Sequence, residues 1–242
     1  MKNGTSRWAV ETENLRHSFG HIEALNGINL KVSYGSFLSI FGPNGAGKTT
    51  LIKILSTLIQ PSSGKAFIHG ADVTKNEGHV RSKIGLISHN TFSYNNLNPY
   101  ENLMFYGKLY GLNNLNTRIK ELLEEVELSH RVYDAVHTFS RGMQQRLSIA
   151  RALINKPSVI FLDEPYTGLD QHATRIFTDI LKKLHQAQST IIMTTHNLKR
   201  GLEICDQVVI MASGKIVFQK PAPEINPEEF EQIYFNCVEK GK

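Results

Sequence analysis

Residues Gly42 to Thr50 read GPNGAGKTT, a G-x-x-x-x-G-K-T spacing that follows an apolar run, Phe37 to Phe41, and precedes a helical segment. Gly42, Gly45 and Gly47 let the backbone curl until its N–H groups form a nest for an anion. The helix N-terminus beyond adds partial positive charge. The whole loop, Gly42, Pro43, Asn44, Gly45, Ala46, Gly47, Lys48, Thr49 and Thr50, is expected to bind phosphates. Lys48 would reach the β- and γ-phosphates, and the Thr49 hydroxyl would face Mg²⁺. Farther along, the apolar run Val159 to Leu162 delivers Asp163 and Glu164 to one strand end. The C-terminal edge of a parallel sheet is where ligands bind. Adjacent carboxylates point differently: Asp163 is assigned to Mg²⁺, and Glu164 to the water that attacks the γ-phosphate. Thr194 and Thr195 close a third run, with His196 at its tip, where an imidazole can orient that water.

These groups need elements to hold them. Strands are expected at Trp8 to Leu15, Ile28 to Val32, Phe37 to Phe41, Lys65 to His69 and Ile84 to Ser88, with a helix at Lys48 to Thr57. Residues 90–157 change character: helical periodicity marks Tyr100 to Tyr110, Thr117 to Val126 and Arg141 to Ile154. Strands resume at Val159 to Leu162, Ile191 to Thr195, Val208 to Met211 and Lys215 to Gln219, with helices near His172 to Ala187 and Leu198 to Ile204. Alternating strands and helices predict an α/β fold with a largely parallel sheet. The reading is one domain over 1–220, its core at 1–89 and 158–220 and a helical insertion at 90–157. Residues 221–242 form a peripheral tail with a short helix at Pro227 to Phe235.

The stretch FSRGMQQR, Phe139 to Arg146, resembles the LSGGQ signature of ATP-binding cassette proteins. Ser140 and Gly142 match the signature serine and its second glycine, and Arg141 stands where the first glycine is usual. The resemblance covers nearly the whole chain. It implies a P-loop NTPase core with a mixed sheet and an inserted helical subdomain, binding ATP and Mg²⁺. It also implies a head-to-tail dimer, in which Ser140 and Gly142 cap the nucleotide held by a second ATPase subunit. Ser140 can cap its helix, whose dipole favours an anion. Phe19 resembles the aromatic that stacks on adenine, Thr167 to Asp170 (TGLD) resembles the D-loop, and His196 the switch histidine. His89, in KIGLISHN, occupies the usual glutamine position and is taken as a nucleotide-side coupling residue. Imidazole suits Mg²⁺ less than an amide oxygen does.

The segment TFSYNNLNPYENLMFYGKLYGL and DEPYTGLDQ resemble cassettes that export heme for cytochrome c maturation. Exporters of drugs, lipids or polysaccharides share much of the pattern. The expected function is therefore ATP hydrolysis powering a membrane exporter of heme, with those cargoes as the alternative. Phe92 and Tyr94 are candidates for docking an integral-membrane permease subunit, while Leu103, Tyr106 and Tyr110 share a helical face and read as core.

Composition bounds the alternatives. With 40% hydrophobic and 20% charged residues, the 242-residue chain can bury a core. No apolar run approaches the roughly 18 residues of a membrane span, and MKNGTSRW lacks a secretory apolar stretch. A cytoplasmic chain, peripheral on the inner face of the membrane, is expected. Cys205 and Cys237 suggest neither disulfide framework nor zinc site. The net charge of +5 is scattered, which argues against a nucleic-acid footprint. A soluble cassette acting on nucleic acid usually carries two cassettes or long coiled-coil insertions, and a P-loop kinase would lack the signature helix.

Overall fold

The computed structural model describes residues 7–88 and 90–240. Among these residues ten strands form two sheets. The first is antiparallel, in the order β2-β1-β4-β5, from β1 (Val10–Phe19), β2 (Ile22–Val32), β4 (Ser63–Ile68) and β5 (Ala71–Asp72). The second has the order β10-β9-β3-β8-β7-β6. Its members are β3 (Phe37–Phe41), β6 (Ile84–Ile87), β7 (Val159–Asp163), β8 (Thr190–Thr195), β9 (Gln207–Ala212) and β10 (Lys215–Pro221). All its pairings are parallel except β10 against β9. The fold is α/β, with one antiparallel and one mixed sheet. The six-stranded sheet is the largely parallel one expected from the sequence, and β1, β2, β4 and β5 form a separate antiparallel sheet.

Continuous apolar runs become the central strands because helices and the other sheet cover both faces. Every residue of β3, β7 and β8 is buried. Alternate side chains then feed two cores. Val159, Phe161 and Ile192 pack with Leu25 and Ile28 of the antiparallel sheet and with Leu51, Ile52 and Leu55 of α1 (Lys48–Leu55). Ile160, Leu162, Ile191 and Met193 pack on the other side. Their partners include Leu103 of α3 (Pro99–Leu109), Leu122 of α4 (Leu115–Glu125), Leu147 of α5 (Arg141–Leu153) and Phe177 of α6 (Gln171–Gln186).

Between β6 and β7 the described residues hold helices and 3₁₀ turns but no strand, as the periodicity predicts. Helix α3 starts one residue early because Asn98 and Glu101 form a capping box with Pro99 in the first turn. A polar helix, α2 (Glu77–Lys83), was not expected; only Val80 of it is buried, which leaves no apolar stripe in the sequence. The hairpin β1–β2 reaches Phe19 and Ile22, well beyond Leu15 and Ile28. Its polar outer half shows little alternation, and its register shifts at three points.

The tail is not peripheral. Helix α8 (Phe230–Lys240) begins later and runs farther than expected, and Phe230 is 1% exposed. Its ring meets Phe41 at 5.0 Å, and Ile225, Phe230 and Val238 form a third core cluster with Val208 and Ile210. Helix α7 (Leu198–Glu203) lies against the same Phe41: a Cβ on Gly201 would come within 2.5 Å of its ring.

Candidate nucleotide site

Three strand ends build the site. β3 ends at Phe41, immediately before the Gly42–Thr50 loop, while β8 beside it and β7 beyond β8 end at Thr195 and Asp163. Parallel pairing puts these C-terminal ends side by side. Backbone crowding fixes the loop. Gly47 has φ +96°, and a Cβ there would lie 2.4 Å from the Ala24 carbonyl oxygen; at Gly42 it would lie 2.4 Å from that of Met211. Any side chain would push the loop off the sheet. Asn44 and Gly45 are exposed at the crest, Ala46 is buried beneath, and Pro43 and Thr50 are half-buried.

Helix α1 starts at Lys48 with Gly47 as its N-cap and no side chain capping it. Its first-turn amides therefore lack intrahelical acceptors, the arrangement that suits an anion. Lys48 is buried, and its Nζ donates to the carbonyls of Gly42 at 2.6 Å and Pro43 at 3.2 Å. Burial lowers its pKa, opposed by the charges of Glu164 and Asp163. Glu164 Oε1 lies 4.0 Å from that ammonium.

Asp163 is 5% exposed, and one of its oxygens, Oδ1, accepts from Thr49 Oγ1 at 3.1 Å and Thr194 Oγ1 at 2.7 Å. Thr194 was read only as a strand end; its hydroxyl fixes the carboxylate. Glu164 turns away from the strand at φ +50°, a left-handed backbone uncommon for a non-glycine residue. Its amide donates to the Thr194 carbonyl at 3.1 Å, and its Oε2 sits 2.8 Å from His196 Nδ1. The sequence-predicted Lys48, Thr49, Asp163, Glu164 and His196 therefore converge.

Other expected residues lie elsewhere. Ser140 caps α5, accepting from the Met143 amide at 3.3 Å. Gly142 faces Asp170 and Ala173 at the start of α6, and Arg141 packs on Gly168 of the TGLD stretch. Asp170 caps α6 by accepting from the Ala173 amide at 2.7 Å. Phe19 is 52% exposed at the hairpin tip, which excludes a core role, and it meets the His17 ring edge-on at 4.5 Å. His89 falls outside the described residues.

Sequence reasoning missed two neighbours of the Glu164 and His196 segments. Arg200, one turn after His196, stacks over the Tyr166 ring at 5.3 Å, two residues after Glu164. Burial, and after it the Glu164 charge, raises the pKa of Tyr234 on α8. The sequence signal for the first was Tyr166 beside the Asp163–Pro165 run; Tyr234 carried none. Among the described residues no helix is long and apolar enough to cross a membrane.

The ABC transporter family model matches residues 25–167. The ABC transporter ATP-binding protein NatA of Bacillus subtilis is 35% identical over 91% of this chain and 92% of its own length. The daunorubicin resistance ATP-binding protein DrrA3 of Streptomyces coeruleorubidus is 34% identical over 91% of this chain and 70% of its own. A dimeric ATP-binding cassette solved in a post-hydrolysis state with ADP and Pi superposes with a TM-score of 0.79 at 28% identity, covering 88% of this chain and 98% of that one. Motif, strand-end geometry and relatives agree: this chain belongs to the ABC transporter family as an ATP-binding subunit that hydrolyses ATP.

Proposed function

We propose that the chain powers a membrane exporter by binding ATP in the Gly42–Thr50 cradle and closing head to tail on a second ATPase subunit. The observation that carries this is the ring of contacts at the strand ends: Lys48 beside Glu164, Thr49 and Thr194 on Asp163, and His196 on Glu164. Lys48 exchanges the carbonyls of Gly42 and Pro43 for the β- and γ-phosphates, and the uncapped start of α1 meets the same charge. Phe19, exposed at the hairpin tip, stacks on the adenine.

Thr49 and Asp163 would hold Mg²⁺. Hard oxygen donors suit that ion, and a single carboxylate plus substrate phosphates is its usual protein site. When bound, the ion neutralises charge developing on the β- and γ-oxygens. Glu164 takes the proton from the attacking water. His196, hydrogen-bonded to Oε2, fixes that carboxylate and its approach to the γ-phosphate. Ser140 and Gly142, at the N-terminus of α5, cap the phosphate held by the other subunit.

Coupling passes to an integral-membrane permease through the loop before α3. Phe92 and Tyr94 are exposed, Tyr94 meets the exposed Phe105 at 5.0 Å, and such an aromatic patch suits a short amphipathic helix. The cargo class favoured is a drug, lipid or polysaccharide, because the relative DrrA3 carries drug resistance in its name. Heme is the second reading, resting on the ENLMFYGKLYG resemblance. Purification of the tagged chain from membranes should bring down one permease, whose loss should leave cells sensitive to an exported compound. Loss of cytochrome c maturation without such sensitivity would favour heme. Recovery only in the soluble fraction, with no membrane partner, would refute the exporter reading.

A further inference from the structure

Arg151, near the end of α5, is a largely buried cation for which no carboxylate partner is found among the described residues. Burial lowers its pKa, with Tyr106 and Tyr110 opposing. Its charge is met instead by carbonyls and ring faces. The guanidinium donates to the Leu86 carbonyl at 2.7 Å and the Thr91 carbonyl at 3.1 Å. It also stands 5.4 Å from the ring centres of both Phe92 and Tyr106. Two turns nearer the start of α5, the buried Gln145 donates to the Ser88 carbonyl at 3.4 Å. The Tyr106 hydroxyl donates to the Phe92 carbonyl at 2.6 Å, and Phe92 itself holds φ +53°. One helix thus holds Leu86 and Ser88 of the β6 end and Thr91 of the following turn. Arg151 also lines a groove of about 200 Å³ with Leu58, Leu86, Phe92, Tyr106 and Tyr110.

A buried cation without an anion is costly, and a lysine or an apolar residue could fill the space more cheaply. What the planar guanidinium supplies is a fork that holds two carbonyls five residues apart while stacking on aromatic faces. We propose that Arg151 is a positioning residue that locks Leu86, Thr91 and Phe92 to the helix carrying Ser140 and Gly142, so that displacing either displaces both. A permease helix pressing on Phe92 would thereby tilt the capping end of α5. Closure of two subunits on ATP would conversely reset the groove. This rests on the reading of Ser140 and Gly142 as the cap on a second copy's nucleotide.

The test uses the 242-residue chain carrying Glu164→Gln, which should close into an ATP-bound dimer, with Arg151→Lys or Arg151→Met added. Lysine keeps the charge and loses the fork; methionine keeps only the stem. ATP affinity of the monomer, measured at dilute protein, should stay within about twofold, because the hydrogen bonds and ring contacts of Arg151 go to Leu86, Thr91, Phe92 and Tyr106 and not to the cradle. The dimer dissociation constant should weaken about tenfold for lysine and more for methionine, the scale of losing a hydrogen bond to a charged group. In parallel, amides of 90–92 and of the first turn of α5 should lose hydrogen-exchange protection together. A merely structural role would lower melting temperature and monomer ATP affinity in step, and that pattern would overturn the proposal. So would variants that dimerise like their Glu164→Gln parent. A parent that stays monomeric at saturating ATP removes the capping reading and this inference with it. Should Arg151→Met not fold, Arg151→Lys and the exchange measurement on the parent decide.

Discussion

Thr194 offers the sharpest energetic probe of the site, because valine matches its shape and suits a strand. The side chain is fully buried, and its hydroxyl donates to Asp163 Oδ1 at 2.7 Å. The Thr194 hydroxyl oxygen also accepts from the Glu164 amide at 3.3 Å, and that amide keeps its shorter bond to the Thr194 carbonyl at 3.1 Å. Thr194→Val therefore creates almost no cavity and strands no amide. It removes one hydrogen bond to a carboxylate that is 5% exposed, leaving Thr49 as the remaining donor. Bonds to buried charged groups are worth about 1.5–3 kcal/mol, so a loss near 2 kcal/mol is expected. For a chain of this size that is a fall of roughly 4–8 °C in Tm. Urea unfolding followed by circular dichroism measures the first quantity. ATPase rates across a Mg²⁺ titration measure the second consequence, a higher Mg²⁺ midpoint as Asp163 gains freedom. Thr194→Ser, which restores the hydroxyl, should recover most of both. A loss below about 0.5 kcal/mol with an unmoved midpoint would show that Thr194 does not hold the carboxylate.

Two further expectations follow from packing. Phe230→Ala removes a ring that is 1% exposed against Phe41 and should cost about 3–5 kcal/mol. It should also raise KM for ATP, since Phe41 adjoins Gly42; an unchanged Tm would mean the tail is dispensable. Burial pushes the Cys205 thiol up to about 11 from an ordinary 9.0. A raised pKa keeps the protonated thiol, so at pH 8 Cys205 should alkylate about a hundredfold more slowly than a free thiol, recovering only as pH climbs toward 11. Labelling at the free-thiol rate in the folded chain would contradict that burial.

Much of the site was legible because its chemistry is local in sequence. Gly42 to Thr50, the pair Asp163 and Glu164, and His196 each end an apolar run, and parallel pairing of those runs brings the three together. What escaped reading depends on contacts distant in sequence. Thr194 looks like any β-branched strand residue until its hydroxyl is seen 2.7 Å from Asp163. Arg151 looks like one more cation in an amphipathic helix, and only the fold supplies the carbonyls of Leu86 and Thr91. The tail was misjudged because Pro221, Pro223 and Pro227 signal a loop, whereas Phe230 and Val238 find a core made by β9 and Phe41. The full length of the antiparallel sheet escaped because its strands expose one face, so the polar residues of Arg16 to Ser18 read as loop.

The central claim is that this site is completed only by a second molecule. Size measurement of the Glu164→Gln chain with saturating ATP and Mg²⁺ tests it most directly, since the substitution keeps every phosphate-binding group and removes the base. The account predicts a stable dimer that holds unhydrolysed ATP and that Ser140→Arg, placed in the cap, dissolves into monomers. A chain that stays monomeric while saturated with ATP, or a dimer indifferent to Ser140→Arg, would contradict it.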